Sequence, residues 1–363
     1  MAGMGKTKHS RIHIVKREAL PWYYRVGVRA LAIVAALIVT AVVIMLLTHK
    51  NPIQVYISML KGAFGTELRI WSLLQNIAIL LCISLAVTPA FKMRFWNCGA
   101  EGQVLVGCLA TTAVMMFLGD SLPLPLLWTV MLIAAVGAGI VWALLPAVTK
   151  SLWNTNETLF TLMMNYVATQ LVAFFLKTFV KNGSGVLPPM PEYGLPRLLN
   201  KDYLLNIVIV VVLTVLVYIY LKYTKQGYEI AVVGESENTA RYIGINVRKV
   251  VIRTLVVSGA LCGVAGLLLV GGTNHTISTT TVDGRGFTAI MVSWLAKFDP
   301  LYMVLTTFLI VFLDRGTQQV ATDFRMPNAL SDIVTGIILL FIIGCEFFLQ
   351  YKIVSAKAGK ENA

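Results

Sequence analysis

KYTKQGYEIAVVGESENTARYIGINVRK, residues 222–249, is a polar insertion between two apolar runs, residues 203–221 before it and 250–270 after it. Each run has roughly the 20 residues that an α-helix needs to cross a hydrocarbon core of ~30 Å. The insertion therefore lies at a membrane surface, and its own pattern predicts a short helix around residues 235–243. Ser236 can cap the start, Glu235 and Glu237 place acids at the positive end, and Arg241 sits in the last turn. Gly244 supplies a left-handed stop, with Ile245 placed to fold back onto the helix end. A helix of about two turns is marginal alone in water because nucleation is costly, so this one needs a surface to lean on.

The same alternation of long apolar runs and short charged links extends through the chain. Of its 363 residues 57% are hydrophobic and 13% charged, with mean hydropathy +0.77, more apolar surface than a water-soluble domain can hide. The net charge of +13 would suit nucleic acid if the basic residues were clustered. They flank the apolar runs instead, which points to a membrane surface and excludes nucleic acid. Five cysteines, Cys82, Cys98, Cys108, Cys262 and Cys345, show no CxxC spacing and lie in or beside apolar segments, so they read as small core residues rather than disulfides or a zinc site.

About ten membrane segments are expected, at residues 26–47, 70–88, 99–118, 124–148, 158–179, 203–221, 250–270, 287–296, 301–313 and 333–348. The fold class is all-α and polytopic. Residues 1–25 form a basic tail with Lys6, Lys8, Arg11, Lys16 and Arg17, held in the cytoplasm by the bias of basic residues to that side. Threading inward and outward from there makes residues 26–350 the transmembrane domain, puts the 222–249 loop inside and the Pro- and Gly-rich 180–202 loop outside, and returns residues 351–363 as a second cytoplasmic tail. Lys181, Arg197 and Lys201 in the outer loop run against the charge bias. In the 250–270 run, Ser258, Cys262 and Gly266, with Gly259 and Gly263 beside them, form a small-residue face that lets another helix approach closely.

Two stretches put polar groups where lipid would reject them. Asn97, Glu101 and Gln103 enter an apolar run with Gly99 and Gly102 around them. Such residues face a cavity, a partner or the bundle interior, so Glu101 either pins a helix start or lines a pathway. Glu157, Thr161, Asn165 and Thr169 recur every four positions, one stripe on a helix otherwise made of Leu, Met and Phe; it makes interhelical hydrogen bonds, contacts a solute, or both. The four histidines, His9, His13, His49 and His275, permit no HExxH pair or triad. Gly5-Lys6-Thr7 is a broken phosphate-loop fragment, and Gly284-Arg285-Gly286-Phe287-Thr288-Ala289 fits a dinucleotide fingerprint without the strand and helix that would give it meaning. No enzyme, metal site or cofactor site can be assembled.

Asn97-Cys98-Gly99-Ala100-Glu101-Gly102-Gln103, Asn156-Glu157 with Met164-Asn165-Tyr166, Gly227-Tyr228-Glu229 with Val233-Gly234-Glu235, Ala240-Arg241-Tyr242-Ile243-Gly244-Ile245 and Ser258-Gly259-Ala260 occur in one order. This series resembles the membrane subunits of ABC importers for simple sugars, nucleosides and branched-chain amino acids, most closely the nucleoside-type permeases that work with basic-membrane-protein-like lipoproteins. The resemblance spans residues 26–350. It implies a permease in a bacterial cytoplasmic membrane with no ATPase site of its own. Its partners would be cytoplasmic ABC ATPases that use ATP and Mg, a second permease (a paralogue or an identical copy), an extracellular solute-binding lipoprotein and membrane lipids. It also implies that residues 234–244 are the coupling helix, with Gly234, Glu235, Glu237, Asn238, Arg241, Tyr242 and Gly244 at the ATPase; the polar residues within apolar runs, Asn97, Glu101, Gln103, Glu157, Thr161 and Asn165, are then the candidates to border the solute path. Cys98, where a branched aliphatic residue is more usual, and Lys297-Phe298-Asp299-Pro300, in place of a glycine-containing turn, depart from the pattern. The alternative is a secondary transporter driven by an ion gradient, with Glu101 as the ion site.

Overall fold

The computed structural model describes residues 12–16, 21–48, 51–180, 186–199, 201, 203–325 and 328–355. Most of both basic tails, and Lys181 and Asp202 of the outer loop, lie outside the described residues. In chain order the elements are β1 (Ile12–Lys16), α1 (Trp22–Thr48), α2 (Pro52–Phe64), α3 (Glu67–Lys92), α4 (Ala100–Leu118), α5 (Leu124–Trp153), α6 (Glu157–Phe179), α7 (Leu204–Tyr223), α8 (Lys225–Glu235), α9 (Glu237–Tyr242), α10 (Val247–Leu269), α11 (Arg285–Leu295), α12 (Pro300–Phe324), α13 (Asn328–Gln350) and β2 (Tyr351–Ser355). A one-turn helix, Pro191–Tyr193, interrupts the loop before α7, and α10 continues as a π-helical turn, Val270–Asn274.

Helix starts follow local chemistry. The side chains of Asn51, Thr66, Asn156, Thr224, Ser236 and Asn246 each accept a backbone N–H from the first turn of the helix they precede, satisfying a group that the helix leaves open. Asn154, in the left-handed region at φ 50°, ends α5.

Among the described residues, seven helices are long and apolar enough to cross a membrane: α3, α4, α5, α6, α7, α10 with its π turn, and α12. Helices α1 and α13 carry the shorter apolar stretches Val34–Val43 and Gly336–Cys345. Helix α12 runs well past residue 313, where the apolar run stops. Its polar continuation pairs along its own surface, Gln318 Nε2 donating to Asp314 Oδ1 at 3.1 Å and Gln319 Nε2 to Asp323 Oδ1 at 2.6 Å. The described chain is all-helical apart from one short pairing near its ends. Strands β1 and β2 pair antiparallel, Ile12 opposite Ser355 and Lys16 opposite Tyr351, so the ends of the described chain meet.

The chain forms two compact units. In the first, residues 1–65 and 313–363, α1 lies along α13, and α2 lies along the end of α12. There Ser58 Oγ donates to Asp323 Oδ2 at 2.5 Å, and Gly316 packs on Met59. The second, residues 66–312, is built around α10. Of the apolar windows of α10 and α3, 78% and 72% are buried, against 28% for both α6 and α7, so the first two form the centre and the last two the rim. The small residues of α10 make this possible. A Cβ on Gly259 would lie 2.4 Å from Gly139 O, one on Gly263 2.3 Å from Ala135 O, and one on Gly266 2.7 Å from Val104 O. Helices α5 and α4 thus meet α10 backbone to backbone, as its sequence face predicts.

Candidate functional site

The insertion at residues 222–249 folds as a corner of two helices rather than one. Thr224 Oγ1 accepts the Gly227 N–H at 3.1 Å and starts α8 immediately after α7. The bend is tight: a Cβ on Gly227 would fall 2.5 Å from the carbonyl oxygens of both Tyr220 and Leu221. Helix α8 buries Ile230, Val233 and Gly234, and a Cβ on Gly234 would lie 2.2 Å from Lys92 O. The end of α8 is therefore in backbone contact with the end of α3. Glu229 binds Arg253 of α10 at 2.7 Å, a second attachment.

Ser236 breaks the path, and its side chain accepts the Thr239 N–H at 3.3 Å to cap α9. At the other end Gly244, at φ +85°, donates to Arg241 O and Ile245 donates to Ala240 O, so two terminal carbonyls are satisfied by the paired bonds of a Schellman stop. Ala240 is the one buried residue of α9. Glu235, Glu237, Asn238 and Arg241 are exposed, and Tyr242 is 93% exposed beside an exposed Ile243. Arg241 reaches Glu237 at 3.3 Å, an exposed pair four residues apart worth about 0.3–0.5 kcal/mol. Helix α9 thus presents an aromatic ring and charges outward from a rigidly held base.

The second set forms a seam inside the bundle. After α3 the chain turns through residues 95–98, where the Asn97 and Cys98 N–H groups donate to Phe95 O and Trp96 O, and α4 begins beside α6. Asn165 joins them: its Nδ2 donates to Cys98 O and its Oδ1 accepts the Gly102 N–H, both at 2.9 Å. Thr161 Oγ1 accepts the Cys98 N–H at 3.1 Å. Asn97, fully buried, receives Gly99 N–H and Gln103 Nε2 on its Oδ1, and its Nδ2 lies 3.4 Å from Ser258 Oγ on α10. Glu157, at the start of the stripe, binds Lys150 at 2.9 Å. Asn97 and Gln103 thus bond each other, and Thr161 and Asn165 bond the backbone of Cys98 and Gly102, so the four lie along one seam.

Glu101 leaves that seam for a different partner. Its two oxygens accept the Gly284 N–H at 2.9 Å and the Gly286 N–H at 2.7 Å, capping α11 from another helix. A Cβ on Gly286 would sit 2.4 Å from Glu101 N, so glycine is required for this approach. Arg285 Nη2 donates to Asn76 Oδ1 of α3 at 3.1 Å. At its far end α11 sets Trp294 against Trp96, Phe91 and Phe298. An 11-residue helix is about 16 Å long, half a bilayer. Helix α11 follows the second half of α3, with Arg285 beside Asn76 at one end and Trp294 beside Phe91 at the other. Helices that start inside the bundle occur where they are buried in protein or line a water-filled path.

Nearer the start of α3, the π turn closing α10 leaves carbonyls that α7 serves. Asn206 Nδ2 donates to Gly272 O at 3.2 Å, and Gln75 Nε2 donates to Thr273 Oγ1. Single π turns recur at functional positions. Asn206 escaped the sequence reading, although an amide inside an apolar run is itself a signal. On the adjoining surface Tyr193 Oη donates to Asp120 Oδ1 at 2.5 Å, and this bond pushes the Tyr193 phenol up from its ordinary pKa.

Residues 69–343 match the family model described as branched-chain amino acid transport system, permease component. The chain is 28% identical to the glucose ABC transporter permease protein TsgB13 of Haloferax volcanii, over 93% of this chain and 92% of the relative. It is 28% identical to the guanosine ABC transporter permease protein NupP of Bacillus subtilis, over 82% and 88%. It is 27% identical to the nucleoside ABC transporter permease protein NupB of Lactococcus lactis, over 93% and 96%. A corner helix on a backbone-packed base, a bundle of apolar spans and a match over most of the chain all agree: this protein is an integral plasma-membrane protein belonging to the branched-chain amino acid transport system permease component family, a permease subunit of an ABC importer.

Proposed function

We propose that the chain carries nucleosides or a related small polar solute, such as a simple sugar, inward, driven by separate cytoplasmic ATPases that use ATP and Mg. It has about ten membrane segments, with α1, α11 and α13 completing the seven long spans, and both termini and the 222–249 corner face the cytoplasm. A second permease, a paralogue or an identical copy, completes the pathway, and an extracellular lipoprotein delivers the solute. The substrate class rests on relatives named for glucose, guanosine and nucleosides.

The observation that carries this reading is the exposure of Tyr242, Arg241 and Glu237 on α9 together with the backbone contact of Gly234 on Lys92. A force on α9 passes through α8 into α3 and, through Glu229–Arg253, into α10. Gly234, Glu235, Glu237, Asn238, Arg241, Tyr242 and Gly244 are thus the coupling residues, and the seam of Asn97, Gln103, Glu157, Thr161 and Asn165, with Glu101, shapes the path. Ion-gradient transport through Glu101 fits less well, since both carboxylate oxygens are occupied by backbone amides. Co-purification tests the reading: ATPase subunits are retained by the wild type and lost from an Arg241→Glu, Tyr242→Ala variant. Retention by both would refute the coupling assignment. Uptake of labelled guanosine, ribose and leucine by cells lacking the chain, against complemented cells, identifies the solute.

A further inference from the structure

Beside the coupling corner lies a cleft of about 460 Å³ between α8 and the start of α10, in the size range of small-ligand sites, ~300–1,000 Å³. Lys225, Lys249 and Arg253 line it with one carboxylate, Glu229, and with the aliphatic Ile243 and Val250. Glu229 is engaged by Arg253 at 2.7 Å, so the two lysines face the cleft without a carboxylate of their own in its lining. The first turn of α10 contains no acid and carries Arg248 and Lys249. Cations at a helix N-terminus oppose the macrodipole, which favours an anion there. The cleft therefore concentrates positive potential from two sources, side chains and helix end, and an anion relieves both.

The depth of the cleft indicates which anion. Its lining begins at Lys225, two residues after α7 ends at Tyr223, and the last turns of α7 have the composition of a bilayer rim. The Lys222 ammonium lies 5.0 Å from the Tyr218 ring centroid and 2.8 Å from its Oη, and Tyr223 is exposed beside them. Aromatic and basic side chains of this kind mark the headgroup level, and basic pockets between membrane helices take lipid headgroups. We propose that the cleft binds the phosphate headgroup of an anionic phospholipid. The phosphate sits among Lys225, Lys249 and Arg253, and the glycerol end rests on Ile243 and Val250. Because Lys225 belongs to α8 and Lys249 to α10, the bound headgroup ties the coupling corner to the central helix, and anionic lipid in this leaflet stiffens the lever.

The test uses the intact transporter complex, purified in detergent with mixed phosphatidylglycerol and phosphatidylcholine and weighed by native mass spectrometry. The wild type should retain phosphatidylglycerol selectively. Lys225→Gln, Lys249→Gln should lower that affinity by roughly 30-fold, two cations each contributing about a fivefold factor, and Lys225→Arg, Lys249→Arg should restore it. Undiminished retention in the glutamine variant overturns the proposal. So does displacement of the lipid by millimolar glycerol phosphate, which would make a soluble phosphate the occupant. Loss of the ATPase subunits from the glutamine variant with lipid retention unchanged also overturns it, by assigning the cleft to a protein contact; that outcome would leave the coupling role of α9 standing.

Discussion

Gly234→Ala is the smallest change that acts on the joint between the coupling corner and the bundle. The added methyl carbon would lie 2.2 Å from Lys92 O, 3.2 Å from Lys92 C and 3.3 Å from Met93 Cα, all main-chain atoms that no side-chain rotation can clear. Ordinary contact distances are ~3.5 Å, so the end of α8 must withdraw from α3 by about 1 Å, and a gap of that size forfeits a quarter to a half of the dispersion attraction across it. Overpacking of this kind costs about 1–3 kcal/mol. The proper control is Ile230→Val, one turn earlier on the same helix and fully buried, which costs about 0.5–1.5 kcal/mol without moving the joint. In proteoliposomes with the partner subunits, solute taken up per ATP hydrolysed should fall severalfold in Gly234→Ala and stay near the wild-type ratio in Ile230→Val. Equal ratios in the two variants would refute the claim that this contact transmits work.

Glu101→Ala should lower the thermal stability of the purified chain by about 2–4 kcal/mol, since two charge-assisted bonds to Gly284 and Gly286 are lost; Glu101→Gln, which keeps an acceptor, should lose less. Asn165→Leu should cost about 2–4 kcal/mol in the same unfolding measurement, because it strands the Gly102 N–H and the Cys98 carbonyl inside the bundle. Gly263→Ala should destabilise by ~1–3 kcal/mol, its new carbon meeting Ala135 O at 2.3 Å, whereas Gly137→Ala, with nothing within 4 Å, should be neutral or stabilising.

What could be read from the sequence was what local chemistry controls. The Ser236 cap, the Gly244 stop with Ile245 behind it, and the close-packing face of α10 appear where their residues indicate. Helix α8 was illegible for an instructive reason: Gly227 and Gly234 look like breakers in KQGYEIAVVGE, but each is there to let the helix touch another backbone. Helix α2, capped by Asn51 and opened by Pro52, is largely apolar but has only 13 residues, too few to register among segments sought at the length of a membrane span. Long-range pairing was also hidden. Glu101 could be seen as a residue that pins a helix start, yet nothing near it names Gly284 and Gly286, some 180 residues away, as the start it pins. The seam residues were picked out by being polar in apolar runs; their partners, Cys98 O and Gly102 N, are backbone groups and carry no mark in a sequence.

The central claim is that work enters this permease at α9 from a separate ATPase. The most direct measurement is accumulation of labelled guanosine by proteoliposomes containing the chain with its second permease and binding lipoprotein, with and without the ATPase subunits and Mg-ATP. The account predicts accumulation only when both ATPase and Mg-ATP are present, and its loss with Arg241→Glu, Tyr242→Ala. Accumulation against a gradient by vesicles stripped of ATPase would contradict it.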